Sequence, residues 1–262
     1  MGFVPTAEDV RELREYFSRP RFIAESLSVR FRTDERFVRE TLPPCLGPAG
    51  EPAGFVVLSR WQTRGIGDFA ATEIYLMASV DGVEGIFPIA SFYADGNNTC
   101  WNREVWGEGG KVADTRLFAD GDRRWAYTER AGTRIVEIEG ELGPDQGAKD
   151  EEGHYFEVKM LLSAHGGGLE FDPVLVQLDE TDHFSSFQQG LGRISLCSSK
   201  FDPLGEIPVL DVGEATFGVS TTTYRISRYE PQPNRDAYLP WAYGPRYWDD
   251  PRLLPLAPRF RD

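Results

Sequence analysis

Histidine, cysteine and methionine each occur only three times in 262 residues, and these scarcities narrow the chemistry. Cys45, Cys100 and Cys197 are odd in number, far apart and never in a CxxC pair, which argues against a disulfide framework and a structural zinc site. A reducing, cytoplasmic setting is expected. None of His154, His165 and His183 has a second His or Cys at metal-ligand spacing, so neither a metal nor metal-dependent chemistry is expected. Positive charge is also short. Twenty-eight Lys and Arg face 42 Asp and Glu, for a net charge of −14 and a pI near 4.8. The arginines at 123, 124, 130 and 134 are interrupted by acids, so no basic stripe forms to hold nucleic acid or an anionic membrane. No apolar run approaches about 18 residues, and the N-terminus lacks the hydrophobic region of a signal peptide.

Several site motifs are missing as well. Thr181-Asp182-His183-Phe184-Ser185-Ser186 mixes the residue types of a hydrolytic triad, but triad members converge from separate segments. His165-Gly166-Gly167-Gly168 has no accompanying Gly-x-Ser-x-Gly elbow and reads as a turn. No GxGxxG opens a helix after a strand, and no phosphate-cradling loop is present, so no cofactor is expected.

What is present is mostly β. Residues 7–17 place Val10, Leu13 and Phe17 on one helical face, and Thr33-Asp34 can cap a short helix over 35–42 that stops at Pro43-Pro44. Ser26–Phe31 alternates as a strand. Runs near 53–61, 69–80, 84–93, 124–130, 133–141, 154–162, 173–180, 191–197 and 216–228 carry β-branched and aromatic residues. Asp81-Gly82 and Ala131-Gly132 sit between runs as hairpin turns should. The segment 143–153 reads as a solvated acidic loop. The expected fold class is α+β: mainly antiparallel β in a closed, barrel-like sheet with a few outer helices. From Glu230 to Asp262 there are seven prolines, with Tyr238, Trp241, Tyr243, Tyr247 and Trp248 among them. This reads as an extended arm wrapping its own domain or a neighbouring subunit, and it divides the chain into a domain over 1–229 and an arm over 230–262.

Five segments together carry a resemblance. They are Arg30-Phe31-Arg32-Thr33-Asp34; Gly65-Ile66-Gly67-Asp68-Phe69; Asp81-Gly82-Val83-Glu84-Gly85; Asn102-Arg103-Glu104-Val105-Trp106-Gly107; and Asp202-Pro203-Leu204-Gly205-Glu206-Ile207-Pro208-Val209. In order and spacing the chain resembles the acetoacetate decarboxylase-like superfamily over roughly residues 20–228. The resemblance implies a lysine that attacks the ketone of a β-keto acid, forming an imine that accepts electrons as carbon dioxide leaves. A lysine with its ordinary pKa of about 10.4 is protonated at neutral pH, so such a site must lower it.

The family motif Phe/Tyr-Pro-Lys-Lys corresponds here to Glu108-Gly109-Gly110-Lys111. The nucleophile falls on Gly110, and the second lysine survives as Lys111. Two pocket glutamates implied by the resemblance fall on Ala71 and Val56, and the carboxylate-binding arginine falls on Ala24. Four polar positions have thus become small or apolar. Adjacent strand residues point to opposite faces, so Lys111 does not project where Gly110 does unless a bulge turns it inward. Glu73 lies two residues beyond Ala71 on the same face, with Tyr75 following, and brings a carboxylate to a new depth. Arg103 and Glu104 match the family motif and also read as a buried, paired charge set; Trp106 packs in the core or at the pocket mouth.

The expected catalytic residues are therefore Glu73 and Lys111. Ala24, Val56, Ala71, Tyr75, Arg103, Glu104, Trp106 and Gly110 are the expected substrate-binding residues. The leading expectation is a cytoplasmic, lyase- or isomerase-type enzyme that acts on a small carbonyl or enol substrate. It would work by acid–base dehydration, isomerisation or cyclisation, without an imine, and associate as a homo-oligomer. Two alternatives stay open: a β-keto acid decarboxylase using Lys111, and a non-catalytic small-molecule-binding protein.

Overall fold

The structure, a computed structural model, describes residues 3–244. Its helices are α1 (Ala7–Ser18), α2 (Glu35–Thr41), α3 (Gly96–Val105) and α4 (Leu239–Tyr243). Its strands are β1 (Arg21–Arg32), β2 (Gly47–Pro48), β3 (Ala53–Thr63), β4 (Gly67–Val80), β5 (Val83–Tyr93), β6 (Lys111–Val112), β7 (Asp114–Asp120), β8 (Arg123–Arg130), β9 (Thr133–Leu142), β10 (Lys149–Lys159), β11 (Val174–Leu196) and β12 (Asp211–Pro231). Among the described residues no helix is long and apolar enough to cross a membrane.

Side-chain caps start three of the helices. Thr6 and Asp9 form a reciprocal capping box on α1, Asp34 accepts from Phe37 N–H at α2, and Asp95 accepts from Asn98 N–H at α3. The two expected hairpins are present. Asp81-Gly82 and Ala131-Gly132 all have positive φ, the backbone of a two-residue turn whose twist matches its strands.

The strands close on themselves. Hydrogen bonding runs β10-β5-β4-β3-β1-β12-β11, and β11 pairs back with β10, making a seven-stranded ring. All of its pairings are antiparallel except the short parallel one between β10 and β5, where Tyr155 meets Ile86. The 23-residue β11 outlasts the ring. A register shift between Phe184 and Ser186 bends it, and Gly190–Leu196 pairs with β9, which continues into β8 and β7. This flap folds over the outer face of the ring, where Thr72 of β4 bonds the hydroxyls of Thr115 and Thr128.

Two cores result, and β4 separates them. Ile74, Leu76 and Ala78 join the outer core with Val56, Leu58, Ile135 and Ile138. Phe69, Ala71 and Tyr75 join an inner cluster with Phe22, Tyr93, Trp106, Tyr155 and Val176. Tyr75 of β4 stacks edge-on against Tyr155 of β10, two strands away, as the concave side of a closed sheet allows. Helix α3 caps one end of this interior through Trp101, Val105 and Trp106.

The structure departs from the sequence reading in four places. Lys149–Gly153, read as loop, is the start of β10, because Lys149, Asp150, Glu151 and Glu152 pair in register with Phe184, His183, Asp182 and Thr181. β7 and α3 were not anticipated. The described part of the C-terminal arm is helical instead of extended: a 3₁₀ turn at Arg235–Tyr238 leads into α4, with proline in its first turn, where no N–H is needed. It packs on its own domain: Tyr238 and Ala242 are buried, and Trp241 donates to Thr41 O at 2.7 Å. Tyr247 and Trp248 lie outside the described residues. Finally, Val10 and Leu13 of α1 are exposed; the helix touches the body through Phe17 against Trp101 and Tyr16 against Thr63.

Candidate active site

Inside the ring a cavity of about 40 Å³ is lined by Glu73, Tyr75, Tyr93, Glu108, Asn98 and Asn102, with Phe22, Trp61, Phe69, Trp106, Tyr155 and Tyr224 completing its walls. A water needs roughly 10–15 Å³ by such a measure, so the space holds one small group. Strand alternation delivers Phe69, Glu73 and Tyr75 from β4 to one face. Asn98 and Asn102, one turn apart on α3, point the same way, and Asn102 Nδ2 donates to Asn98 Oδ1 at 3.3 Å.

Glu73 is 7% exposed and Glu108 only 2%. Burial raises the Glu73 carboxyl from 4.5 to about 8, and the nearby Glu108 charge adds to the rise. Hydrogen bonds from Tyr75 and Tyr93 oppose it; the Tyr93 hydroxyl donates to Glu73 Oε1 at 3.3 Å. Tyr93 also bonds Glu108, so one phenol stands between the two carboxylates. At neutral pH the Glu73 carboxyl therefore keeps its proton. Burial keeps Tyr75, Tyr93, Tyr155 and Tyr224 well above the usual phenol range, so each remains a neutral donor.

Behind this pair lies Gly110. A Cβ built on it would fall 2.5 Å from Tyr93 Cε2 and 2.7 Å from Cδ2. The Tyr93 ring therefore fills the space in which any side chain at position 110 would begin. Lys111, the next residue, runs the other way. Its Nζ lies 2.9 Å from Asp202 Oδ1, and Arg130 Nη1 meets Asp202 Oδ2 at 2.6 Å. The Lys111 and Asp202 side chains are 13% and 3% exposed, so this is a nearly dry ion cluster. It ties β6 to the loop before Leu204, and Lys111 is not among the residues lining the cavity.

Of the residues singled out from sequence, Glu73, Tyr75 and Trp106 meet at the cavity, and Ala71 is buried in the surrounding aromatic cluster. Ala24 is buried on β1, two residues from the cavity-lining Phe22. Val56 sits in the outer core because it pairs across strands with Ile74, which faces away from the cavity. Arg103 is half-buried and Glu104 exposed on α3, where neither lines the cavity; Asn102, one position earlier, does. Glu108, Tyr93, Asn98, Phe22, Trp61, Tyr155 and Tyr224 were not anticipated. The available signal for Glu108 was its place within the Glu108-Gly109-Gly110-Lys111 segment.

Two other features lie near the site. Beyond Tyr224, whose hydroxyl bonds Glu180, burial and the Asp182 charge raise Glu180 to about 7. A larger cleft of about 310 Å³ opens on the outer face, walled by Phe87, Val158, Met160, Pro240 and Trp241; Glu157 is its one buried ionisable lining residue. The inner cavity, though smaller, is where ionisable groups converge. Among the described residues, no group of three or more His, Cys, Asp or Glu side chains is placed to hold a metal ion.

Comparison with known proteins puts this geometry in a lineage. The profile of "Acetoacetate decarboxylase (ADC)" matches residues 4–230. The chain belongs to the acetoacetate decarboxylase family. Acetoacetate decarboxylase of Paraburkholderia phytofirmans is 25% identical over 228 residues, covering 83% of this chain and 90% of that protein. Among solved structures, acetoacetate decarboxylase from Legionella pneumophila superposes with a TM-score of 0.72 at 19% identity, covering 81% of this chain and 88% of its own. The enduracididine biosynthesis enzyme MppR, complexed with pyruvate, superposes with a TM-score of 0.66 at 18% identity, covering 79% and 89%. At such identities the likeness in structure speaks for the fold alone.

Proposed function

We propose that this protein is an enzyme of the acetoacetate decarboxylase-like superfamily that moves protons on a small carbonyl or enol substrate without forming an imine. The observation that carries the reading is the placement of Tyr93: its hydroxyl bridges Glu73 and Glu108, while its ring occupies the space beside Gly110. On the resemblance drawn from sequence, Gly110 holds the position of the family's nucleophilic lysine. Lys111 serves in this reading to hold β6 through Asp202.

The carboxylate pair supplies both halves of an enolisation. Glu73, neutral at physiological pH, donates its proton to the carbonyl oxygen, with Tyr93 as a second donor. Glu108, whose charge is what Glu73 feels, removes the proton from the α-carbon. The C–H pair becomes the C=C bond of the enol, and the carbonyl oxygen gains the Glu73 proton. Return of a proton to a different carbon gives isomerisation; loss of a β-hydroxyl, protonated to leave as water, gives dehydration. Burial of both carboxylates limits the access of bulk water that would compete for the proton.

The test is α-proton exchange. A small ketone such as acetone incubated in D₂O is expected to lose its α-proton NMR signal faster with the protein than without it. Glu73→Gln and Glu108→Gln should each slow that exchange by about 100-fold or more, and Lys111→Met should leave it unchanged. Exchange that survives in both glutamate variants would overturn the reading.

A further inference from the structure

Both carboxylates of the site are buried, so a proton taken from a substrate needs a way out to solvent and a way back. Four phenols stand on the cavity wall: Tyr75, Tyr93, Tyr155 and Tyr224. Tyr224 is the one whose cross-strand neighbour is a carboxylate, because it pairs with Glu180 of β11. Side chains directly opposed on one face of a sheet lie about 4.5–5.5 Å apart at Cβ. From that position the Tyr224 hydroxyl bonds the Glu180 carboxyl.

Strand alternation aims Glu180 inward. Val176 and Leu178 belong to the inner cluster, so Glu180 and Asp182 follow on the same face of β11. His183 turns the other way, and its Nδ1 lies 2.8 Å from Asp150 Oδ1. Gly153 of β10 lies opposite Glu180 and puts no side chain beside it. One step further along, Asp182 accepts from the hydroxyls of Thr222 and Ser220, the latter at 3.3 Å. Glu180 and Asp182 are half-buried, and Glu151, opposite Asp182 on β10, is exposed. A line of groups with exchangeable protons therefore runs from the cavity wall towards solvent. Burial and the Asp182 charge raise Glu180 to about 7, where a carboxyl is present in both forms at physiological pH.

We propose that Tyr224, Glu180 and Asp182 form a proton relay between the cavity and solvent, with Glu180 as its carrier. The inference rests on the acid–base reading above and adds the route by which that site trades protons with water. The group held in the cavity gives a proton to the Tyr224 oxygen as the Tyr224 hydroxyl proton passes to ionised Glu180. Glu180 then releases that proton past Asp182 to water, and the same steps in reverse bring a solvent proton in. The phenol gains one proton as it loses another, so no tyrosinate forms, in keeping with its position well above the usual phenol range. The charged groups facing Glu180 are Asp182 on its own strand and Glu151 on β10; Lys149, two residues before Glu151, is paired with it.

The experiment follows acetone α-proton exchange in D₂O with the intact protein. Glu180→Gln keeps the size of the side chain and removes the carrier, and Glu180→Ala removes both. Each should slow exchange by about ten-fold or more, as should Tyr224→Phe. Imidazole in solution, a carrier active near neutral pH, should restore Glu180→Ala to within about three-fold of the parent and leave the parent and Glu180→Gln unchanged. A merely structural role for Glu180 would not give that recovery. Glu180→His returns a carrier to the same place and keeps the test decisive if Glu180→Ala fails to fold. It should exchange within about three-fold of the parent rate. Glu180→Gln exchanging as fast as the parent would sink the relay; so would a slow Glu180→Ala that imidazole does not recover, or a Glu180→His as slow as Glu180→Gln. A parent that exchanges alongside equally fast Glu180 variants removes the relay alone, whereas a parent that does not exchange removes the acid–base reading and the relay with it.

Discussion

Tyr93 donates to Glu73 at 3.3 Å with its hydroxyl and, with its ring, excludes a side chain at Gly110. One residue thus helps to set the acid of the site and closes the space beside it. On the proposed reading, in which Gly110 stands where the family resemblance implies an amine, this relationship is what favours acid–base chemistry in the cavity.

Gly110→Lys tests the steric half of the relationship. The new side chain would have to displace the Tyr93 ring from a fully buried position, and overpacking of this kind costs about 1–3 kcal/mol. A lower denaturation midpoint with an unchanged m-value is expected. A variant as stable as the parent would show that the Tyr93 ring yields freely.

The acid half has a pH signature in activity. Glu73 must be protonated to donate, so proton-transfer activity is expected to fall as pH rises through about 8. Tyr93→Phe removes a hydrogen bond that favours the ionised form, so the Glu73 value should move upward and carry this limb with it. The profile of exchange rate against pH for the two proteins is the measurement.

Stability should carry the same signature with a definite sign. Between about 4.5 and 8 the unfolded chain ionises Glu73 while the folded protein keeps it neutral, so stability contributed by this group falls with rising pH across that window. Glu73→Gln removes the penalty. It should be as stable as the parent near pH 4 and more stable by roughly 1–3 kcal/mol near pH 8. Denaturant midpoints at the two pH values decide it.

Asp202 is expected to matter more for folding than for chemistry. Asp202→Asn removes a carboxylate that both Lys111 and Arg130 contact, and the loss of these charge-assisted hydrogen bonds is expected to cost about 1–3 kcal/mol. The denaturation midpoint should drop accordingly, while acetone exchange per folded molecule stays within a few-fold.

How much of this was legible in the sequence depends on regularity. Period-two alternation placed Glu73 and Tyr75 on the face of Ala71 correctly, because β4 runs unbroken from Gly67 to Val80 and the compensating bulge lies in β5, opposite Ile74 and Tyr75. The parity of Val56 was not readable in the same way, since it is fixed by pairing with Ile74, a relation between strands. Helix α3 was hidden by its own composition. Gly-Asn-Asn-Thr-Cys-Trp-Asn-Arg-Glu-Val has weak helix formers, and its fold depends on the Asp95 cap and the burial of Asn98 and Asn102. Missing that helix hid the inward turn of Asn102 and the approach of Glu108, which follows in an irregular segment where no period applies. The ring closure through β10 and β11 depends on the acidic Lys149–Gly153 stretch, whose charges read as loop until a partner strand is known.

Borohydride trapping tests the central claim most directly. The chain has four lysines, at 111, 149, 159 and 200. Lys111 is paired with Asp202, while Lys159, held below the usual lysine range by burial, donates to Val105 O at 3.1 Å. With acetoacetate or acetone and sodium borohydride, intact-mass and peptide mass spectrometry are expected to find no reduced adduct on any of them under conditions in which α-proton exchange proceeds. A stoichiometric adduct on Lys111 or Lys159 would contradict the account.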